Sequence, residues 1–102
     1  IRTFGSLRIG TSGHFVKTVS DSNERVIPLP LTEFRILAHM ARRPLRIFLR
    51  AELVDACLTG NSALDRTVDS HVSNLRRKIE EAGISDMMQS VRGVGYRLVR
   101  PS

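Results

Sequence analysis

The sequence predicts an α+β domain in which short antiparallel strands come first, three helices follow, and a β-hairpin closes the chain. Three observations predict it. Residues 1–29 are a series of β-rich pieces broken by turn residues. Residues 65–82 contain no Gly or Pro and place an apolar side chain at every third or fourth position. Residues 88–99 alternate apolar and polar side chains around a glycine-rich turn.

The first part contains "TFG", "SLRIG", "HFVKTV" and "ERVIPL". Gly5, Gly10–Thr11–Ser12–Gly13 and Ser20–Asp21–Ser22–Asn23 separate them. Consecutive short strands joined by tight turns make an antiparallel meander. Gly10 and Gly13 are turn residues and not a phosphate loop, because no helix follows them.

"LPLTEFRILAHMARRP" predicts a first helix over 32–43. Thr32 is its expected N-cap, and Leu31 is expected to staple onto Ile36. Phe34, Leu37, Ala38 and Ala41 share a face. Arg42 and Arg43 suit the negative end of the helix, and Pro44 stops it. "RAELVDACL" predicts a second helix over 50–58 with Leu53, Ala56 and Cys57 inward. "TGNSAL" breaks it.

The third helix, 65–82, opens at Asp65, a capping residue. Val68, Val72, Leu75 and Ile79 form a narrow apolar stripe. Arg66, Ser70, Ser73, Asn74 and Arg77 cluster on the far side, and Gly83 is the expected left-handed terminator. In the hairpin, Gly93–Val94–Gly95 is the expected turn, and Tyr96 and Leu98 alternate with Arg97.

The chain has 102 residues, enough for one domain with a real core. Hydrophobic residues make up 41%, too many for disorder. No apolar run approaches the roughly 18 residues of a membrane span. The start carries no signal-peptide pattern. It begins with Ile and not Met, so one module of a longer protein is expected. The single cysteine, Cys57, permits no internal disulfide and suits a reducing, cytoplasmic setting. Its neighbours Ala56 and Leu58 mark it as a buried small side chain.

The net charge of +6 favours an acidic partner such as nucleic acid, an anionic membrane face or an acidic protein. The basic residues are grouped: Arg35, Arg42, Arg43, Arg46 and Arg50, then Arg66, Arg76, Arg77 and Lys78, then Arg92, Arg97 and Arg100. A merely solubilising surface is the alternative.

Catalytic chemistry has little to work with. His14, His39 and His71 lie far apart without metal-ligand spacing, so no metal is expected. Glu52 and Asp55 are an ordinary surface pair, and no Ser sits in a nucleophile elbow. Gly93–Val94–Gly95 leads into a strand, so it offers no helix N-terminus to a pyrophosphate. Neither a cofactor nor an enzymatic activity is expected. The basic helix remains. A face of Arg, Asn and Ser suits a major groove, where Arg reads guanine and Asn reads adenine. Flanking Arg and Lys neutralise phosphates. The short Ser70 and Ser73 let the helix backbone come close.

"DRTVDSHVSNLRRKIEEAG" followed by "SVRGVGYRLV" resembles the winged-helix effector domain of OmpR/PhoB-type response regulators. "LTEFRILAHMA" and "RAELVDACL" resemble that family's first and second helices. The resemblance spans about residues 5–99. It implies a winged helix-turn-helix with an N-terminal four-stranded antiparallel sheet, three helices and a C-terminal hairpin wing. It also implies binding of double-stranded promoter DNA, at direct repeats, by two copies arranged head to tail. Ser70, Ser73, Asn74 and Arg77 match the base-reading positions. Arg50, Arg66, Thr67, His71, Arg76, Lys78 and Ser90 match phosphate-facing positions. Arg92, with Gly93, matches the wing residue that enters the minor groove. Thr59, Gly60, Asn61 and Ser62 match a loop through which some members touch RNA polymerase. The resemblance further implies a receiver domain in cis, absent from this chain, and a sensor histidine kinase acting through it. It implies a cytoplasmic, nucleoid-associated place. Two positions depart from the pattern: Leu58 stands where Trp is common, and Leu49 where Ser or Thr precedes the second helix.

Overall fold

A computed structural model describes residues 2–10, 13–20, 23–58 and 65–99, without the side chains of Arg2, Ser20, Asp65 and Arg66. Four strands open the chain: β1 (Arg2–Phe4), β2 (Leu7–Gly10), β3 (Phe15–Ser20) and β4 (Asn23–Val26). They pair antiparallel in chain order. Ile9 pairs with Val16 and Leu7 with Thr18, so the period-2 alternation puts Leu7, Ile9, Val16 and Thr18 on one inner face. The hydroxyl of the buried Thr18 donates to the Arg25 carbonyl oxygen at 3.5 Å. β4 is exposed along its length.

Helix α1 runs Leu31–Ala41 and buries Phe34, Ile36, Leu37, Met40 and Ala41. Its N-cap is Pro30, with φ −57° and ψ 153°, and no side chain caps it. The expected Thr32 cap is therefore corrected. The proline ring fixes an extended entry one residue earlier, which makes Leu31 the first helical residue. Leu31 is 48% exposed, so the expected staple to Ile36 does not form. The end tightens through bonds from Arg42 N–H to the His39 carbonyl and from Arg43 N–H to the Met40 carbonyl.

A two-residue strand, β5 (Phe48–Leu49), precedes α2 (Arg50–Cys57) and was not expected. In α2, Leu53 and Cys57 are buried but Ala56 is exposed, which corrects its expected inward place. A helix of two turns offers the core one i, i+4 strip, and Ala56 lies beside that strip. Burial pushes the Cys57 thiol up to about 11.

Helix α3 (Asp65–Glu81) buries Val68, Val72, Leu75 and Ile79, each at most 1% exposed. Gly83, at φ +97°, ends it: Ile84 N–H donates to the Ile79 carbonyl and Gly83 N–H to the Glu80 carbonyl. Strands β6 (Met88–Val91) and β7 (Gly95–Leu98) follow. With β5 they make a second sheet in the order β5-β7-β6, so the closing hairpin is part of a three-stranded sheet.

The hairpin turn sits one residue earlier than expected. Val94 N–H donates to the Val91 carbonyl at 2.9 Å, which leaves Arg92–Gly93–Val94 as the tip. Gly95 belongs to β7, where it pairs with both Val91 and Leu49. A Cβ at Gly95 would lie 2.0 Å from the Phe48 carbonyl oxygen. β5 can approach β7 only because that position has no side chain. All three helices and both sheets share one apolar core.

Candidate nucleic-acid interface

Helix α3 has four sides with different contents. Its inner side is the aliphatic seam. Directly opposite, Ser70, Ser73, Asn74 and Arg77 are all exposed. Arg77 is held only loosely, with Nε 3.8 Å from Glu81 Oε1 and both side chains about two-thirds in solvent. This side presents two hydroxyls, an amide and a guanidinium, all able to meet base edges.

One flank carries Asp69 and Arg76, seven residues or two turns apart. Asp69 Oδ1 accepts from Arg50 Nε at 2.7 Å, and the Tyr96 hydroxyl donates to the same oxygen. The Arg50 guanidinium lies 5.3 Å from the centre of the Tyr96 ring. The hydrogen bonds from Tyr96 and Arg50 hold the Asp69 carboxyl below the ordinary aspartate range. Farther along, Arg76 Nη2 donates to Ser90 Oγ at 2.9 Å. This flank therefore joins α3 to the start of α2 and to both long strands of the second sheet.

The other flank faces α1. Lys78 Nζ lies 2.8 Å from Glu33 Oε1, and the Glu33 side chain is 4% exposed. Lys78 thus neutralises a buried carboxylate while its own side chain stays 25% exposed. His71 is half-buried with Nδ1 covered, which leaves Nε2 for any outside contact. Thr67 is half-buried on the same helix. Arg66 lies in the first turn of α3, but its side chain falls outside the described residues, as do Thr59, Gly60, Asn61 and Ser62. At the hairpin tip, Arg92 and Gly93 are exposed, and Gly93 takes φ +75°. Ser90, also exposed, is bound by Arg76.

Leu49 is the N-cap of α2 and gives no side-chain cap, so its substitution for Ser or Thr removes a polar group there. Arg50 stands at the head of that helix but is engaged with Asp69.

Three residues that hold this arrangement had no role in the sequence reading: Asp69, Tyr96 and Glu33. A buried tyrosine needs a partner for its hydroxyl, and Asp69, next to Val68 of the α3 stripe, was an available clue. Elsewhere, His39, Arg42, Arg43, Arg46, Phe48 and Glu52 line a cleft of about 360 Å³. Desolvation lowers the His39 pKa, and Arg46 pairs with Glu52 at 2.8 Å. Among the described residues, no group of three His, Cys, Asp or Glu side chains is placed to hold a metal ion. No described helix is long and apolar enough to cross a membrane.

Residues 23–98 match the family model described as "Transcriptional regulatory protein, C terminal". The phosphate regulon transcriptional regulatory protein PhoB of Rhizobium meliloti is 39% identical over 75 residues, covering 72% of this chain and 33% of that protein. Among solved structures, the DNA-binding domain of response regulator AdeR, in complex with an intercistronic region, superposes with a TM-score of 0.89. It is 42% identical, over 96% of this chain and 98% of that one. The DNA-binding domain of Klebsiella pneumoniae RstA, in complex with the RstA box, gives 0.77 at 26% identity, over 95% and 94%. The chain spans about a third of the length of the PhoB relative.

Proposed function

The chain belongs to the family of transcriptional regulatory protein C-terminal domains, of the OmpR/PhoB response-regulator type, and we propose that it binds promoter DNA by sequence and so regulates transcription. α3 enters the major groove, with Ser70, Ser73, Asn74 and Arg77 toward the bases. The wing tip lays Arg92 and Gly93 into the adjacent minor groove. Arg50, Arg66, Thr67, His71, Arg76 and Ser90 hold phosphates. Lys78, partly exposed beside Glu33, joins them.

One observation carries this reading. The side of α3 opposite its buried seam presents the exposed polar side chains of Ser70, Ser73, Asn74 and Arg77, and the flank beside it is bonded to a sheet with an arginine at its tip. The AdeR and RstA domains, each in complex with DNA, support it.

Two copies bind direct repeats head to tail, and the segment Thr59–Ser62 contacts RNA polymerase. In the longer protein, a receiver domain in cis takes the signal from a sensor histidine kinase. The domain needs no cofactor, catalyses no reaction and works in the cytoplasm on the nucleoid.

Selection of binding sites from random duplexes tests this. The expected product is one enriched sequence, recovered as a direct repeat. The slope of log K against log salt should be about −4.5, for about five neutralised phosphates. Equal binding to random and selected duplexes would point instead to a basic surface that meets an acidic protein.

A further inference from the structure

We propose that Asp69 is a positioning residue for DNA binding: its carboxylate sets the wing and the Arg50 guanidinium at a fixed angle to α3. This rests on the reading of the wing tip as a minor-groove element.

Asp69 lies between the two parts that must reach DNA together. It stands on α3, one residue past Val68 of the buried seam. One of its oxygens receives both the Tyr96 hydroxyl, from the middle of β7, and Arg50 Nε, from the head of α2. Tyr96 is paired across the sheet with Phe48 of β5 and with Ser90 of β6. A pull at the Tyr96 hydroxyl is therefore carried to the whole second sheet. Two turns along the same flank, Arg76 holds Ser90 and supplies a second fixed point. Ser90 and Tyr96 are cross-strand partners, so the two bonds clamp the hairpin across its width, with the Val91–Gly95 pair between the clamp and the exposed tip at Arg92–Val94.

Magnitude decides between a structural and a positioning role. The Arg50–Asp69 pair is partly solvated, at 29% and 44% side-chain exposure. Such partly solvated pairs add little to stability. The sheet is held on the core by Phe48, Met88, Tyr96 and Leu98, all buried. The polar contacts are thus minor in attaching the sheet, yet they bond its strands directly to the helix that would lie in the groove. Their effect is to reduce the angular freedom of the tip before DNA arrives, which lowers the ordering cost of binding.

A double-mutant cycle tests this on a duplex recovered by selection with the wild-type domain. Arg92→Ala should weaken binding about tenfold in the wild-type background and less than threefold in Asp69→Ala, which removes the shared acceptor oxygen. Tyr96→Phe keeps the ring and removes only the hydroxyl, so it carries the test if Asp69→Ala does not fold. It should show the same loss of sensitivity to Arg92→Ala. The penalty of Asn74→Ala should be unchanged in Tyr96→Phe, because α3 itself has not moved. An equal Arg92→Ala penalty in all backgrounds overturns the positioning role and leaves the minor-groove reading intact. No penalty in the wild-type background overturns both.

Discussion

The two sheets of this domain reach α3 through different polar contacts: the first by an exposed bond from Arg25 Nη1 to the Glu81 carbonyl at 3.5 Å, the second by side-chain pairs. The first, β1–β4, meets the core through an apolar face of Phe4, Leu7, Ile9 and Val16. The second, β5-β7-β6, also buries apolar side chains, but its link to α3 includes Tyr96 to Asp69 and Ser90 to Arg76. Apolar contact is strong and tolerates small shifts; hydrogen bonds are weaker and fix direction. The division matches the roles assigned here. The first sheet completes the core and needs only to stay in place. On the proposed reading, the second carries the tip that reaches for DNA, so its angle matters.

Substitutions in each sheet probe this contrast. The largest effect should come from Ile9→Ala in the first sheet, which empties a fully buried site. It should cost about 2–5 kcal/mol in urea unfolding, with DNA affinity of the folded protein unchanged. Gly95→Ala strikes the second sheet, where the new Cβ would meet the Phe48 backbone. It should cost about 1–3 kcal/mol in stability and, unlike Ile9→Ala, weaken DNA binding as well. Asn74→Ala lies in neither sheet. It should leave the unfolding midpoint in place, cost about 1–3 kcal/mol of affinity, and relax preference at one base position.

Acid should separate the sheets further. The Asp69 pKa is lowered from the ordinary value of 3.8 by Tyr96 and Arg50. A lowered carboxylate pKa contributes stability above its unfolded value, and that contribution disappears as pH falls through the folded value. Tyr96→Phe should therefore lower stability wherever Asp69 is ionised, at neutral pH and down to the ordinary aspartate value of 3.8, and lose its effect as pH falls further through the lowered Asp69 pKa, as thermal melts of both proteins against pH would show. The smallest effect belongs to Lys17→Ala, which removes the exposed Lys17–Glu24 pair of the first sheet. Its cost should be under about 1 kcal/mol, and added salt should reduce it.

How much of this could be read from the sequence follows from the same contrast. The α3 seam was legible because Val68, Val72, Leu75 and Ile79 recur at helical spacing among polar residues. Its outward side followed as the complement, and Gly83 followed from the end of the pattern. The strands of the first sheet were marked by their turns. β5 was not legible, since two residues carry no periodicity and its pairing with β7 depends on a glycine more than forty residues away. Pro30 displaced Thr32 because a fixed φ outweighed side-chain capping preference. The Asp69 and Glu33 contacts were hidden because a carboxylate on a helix looks the same whether it meets water, Arg50 and Tyr96, or Lys78. Such pairings are tertiary, and no local pattern encodes them.

The account stands or falls on α3 and the wing entering neighbouring grooves of one duplex. Chemical footprinting of the wild-type domain and Arg92→Ala on a selected site tests that directly. The wild type should protect guanine N7 positions in the major groove next to a protected minor-groove tract, and Arg92→Ala should lose the minor-groove part alone. Protection in one groove only, or a pattern that Arg92→Ala leaves unchanged, would contradict it.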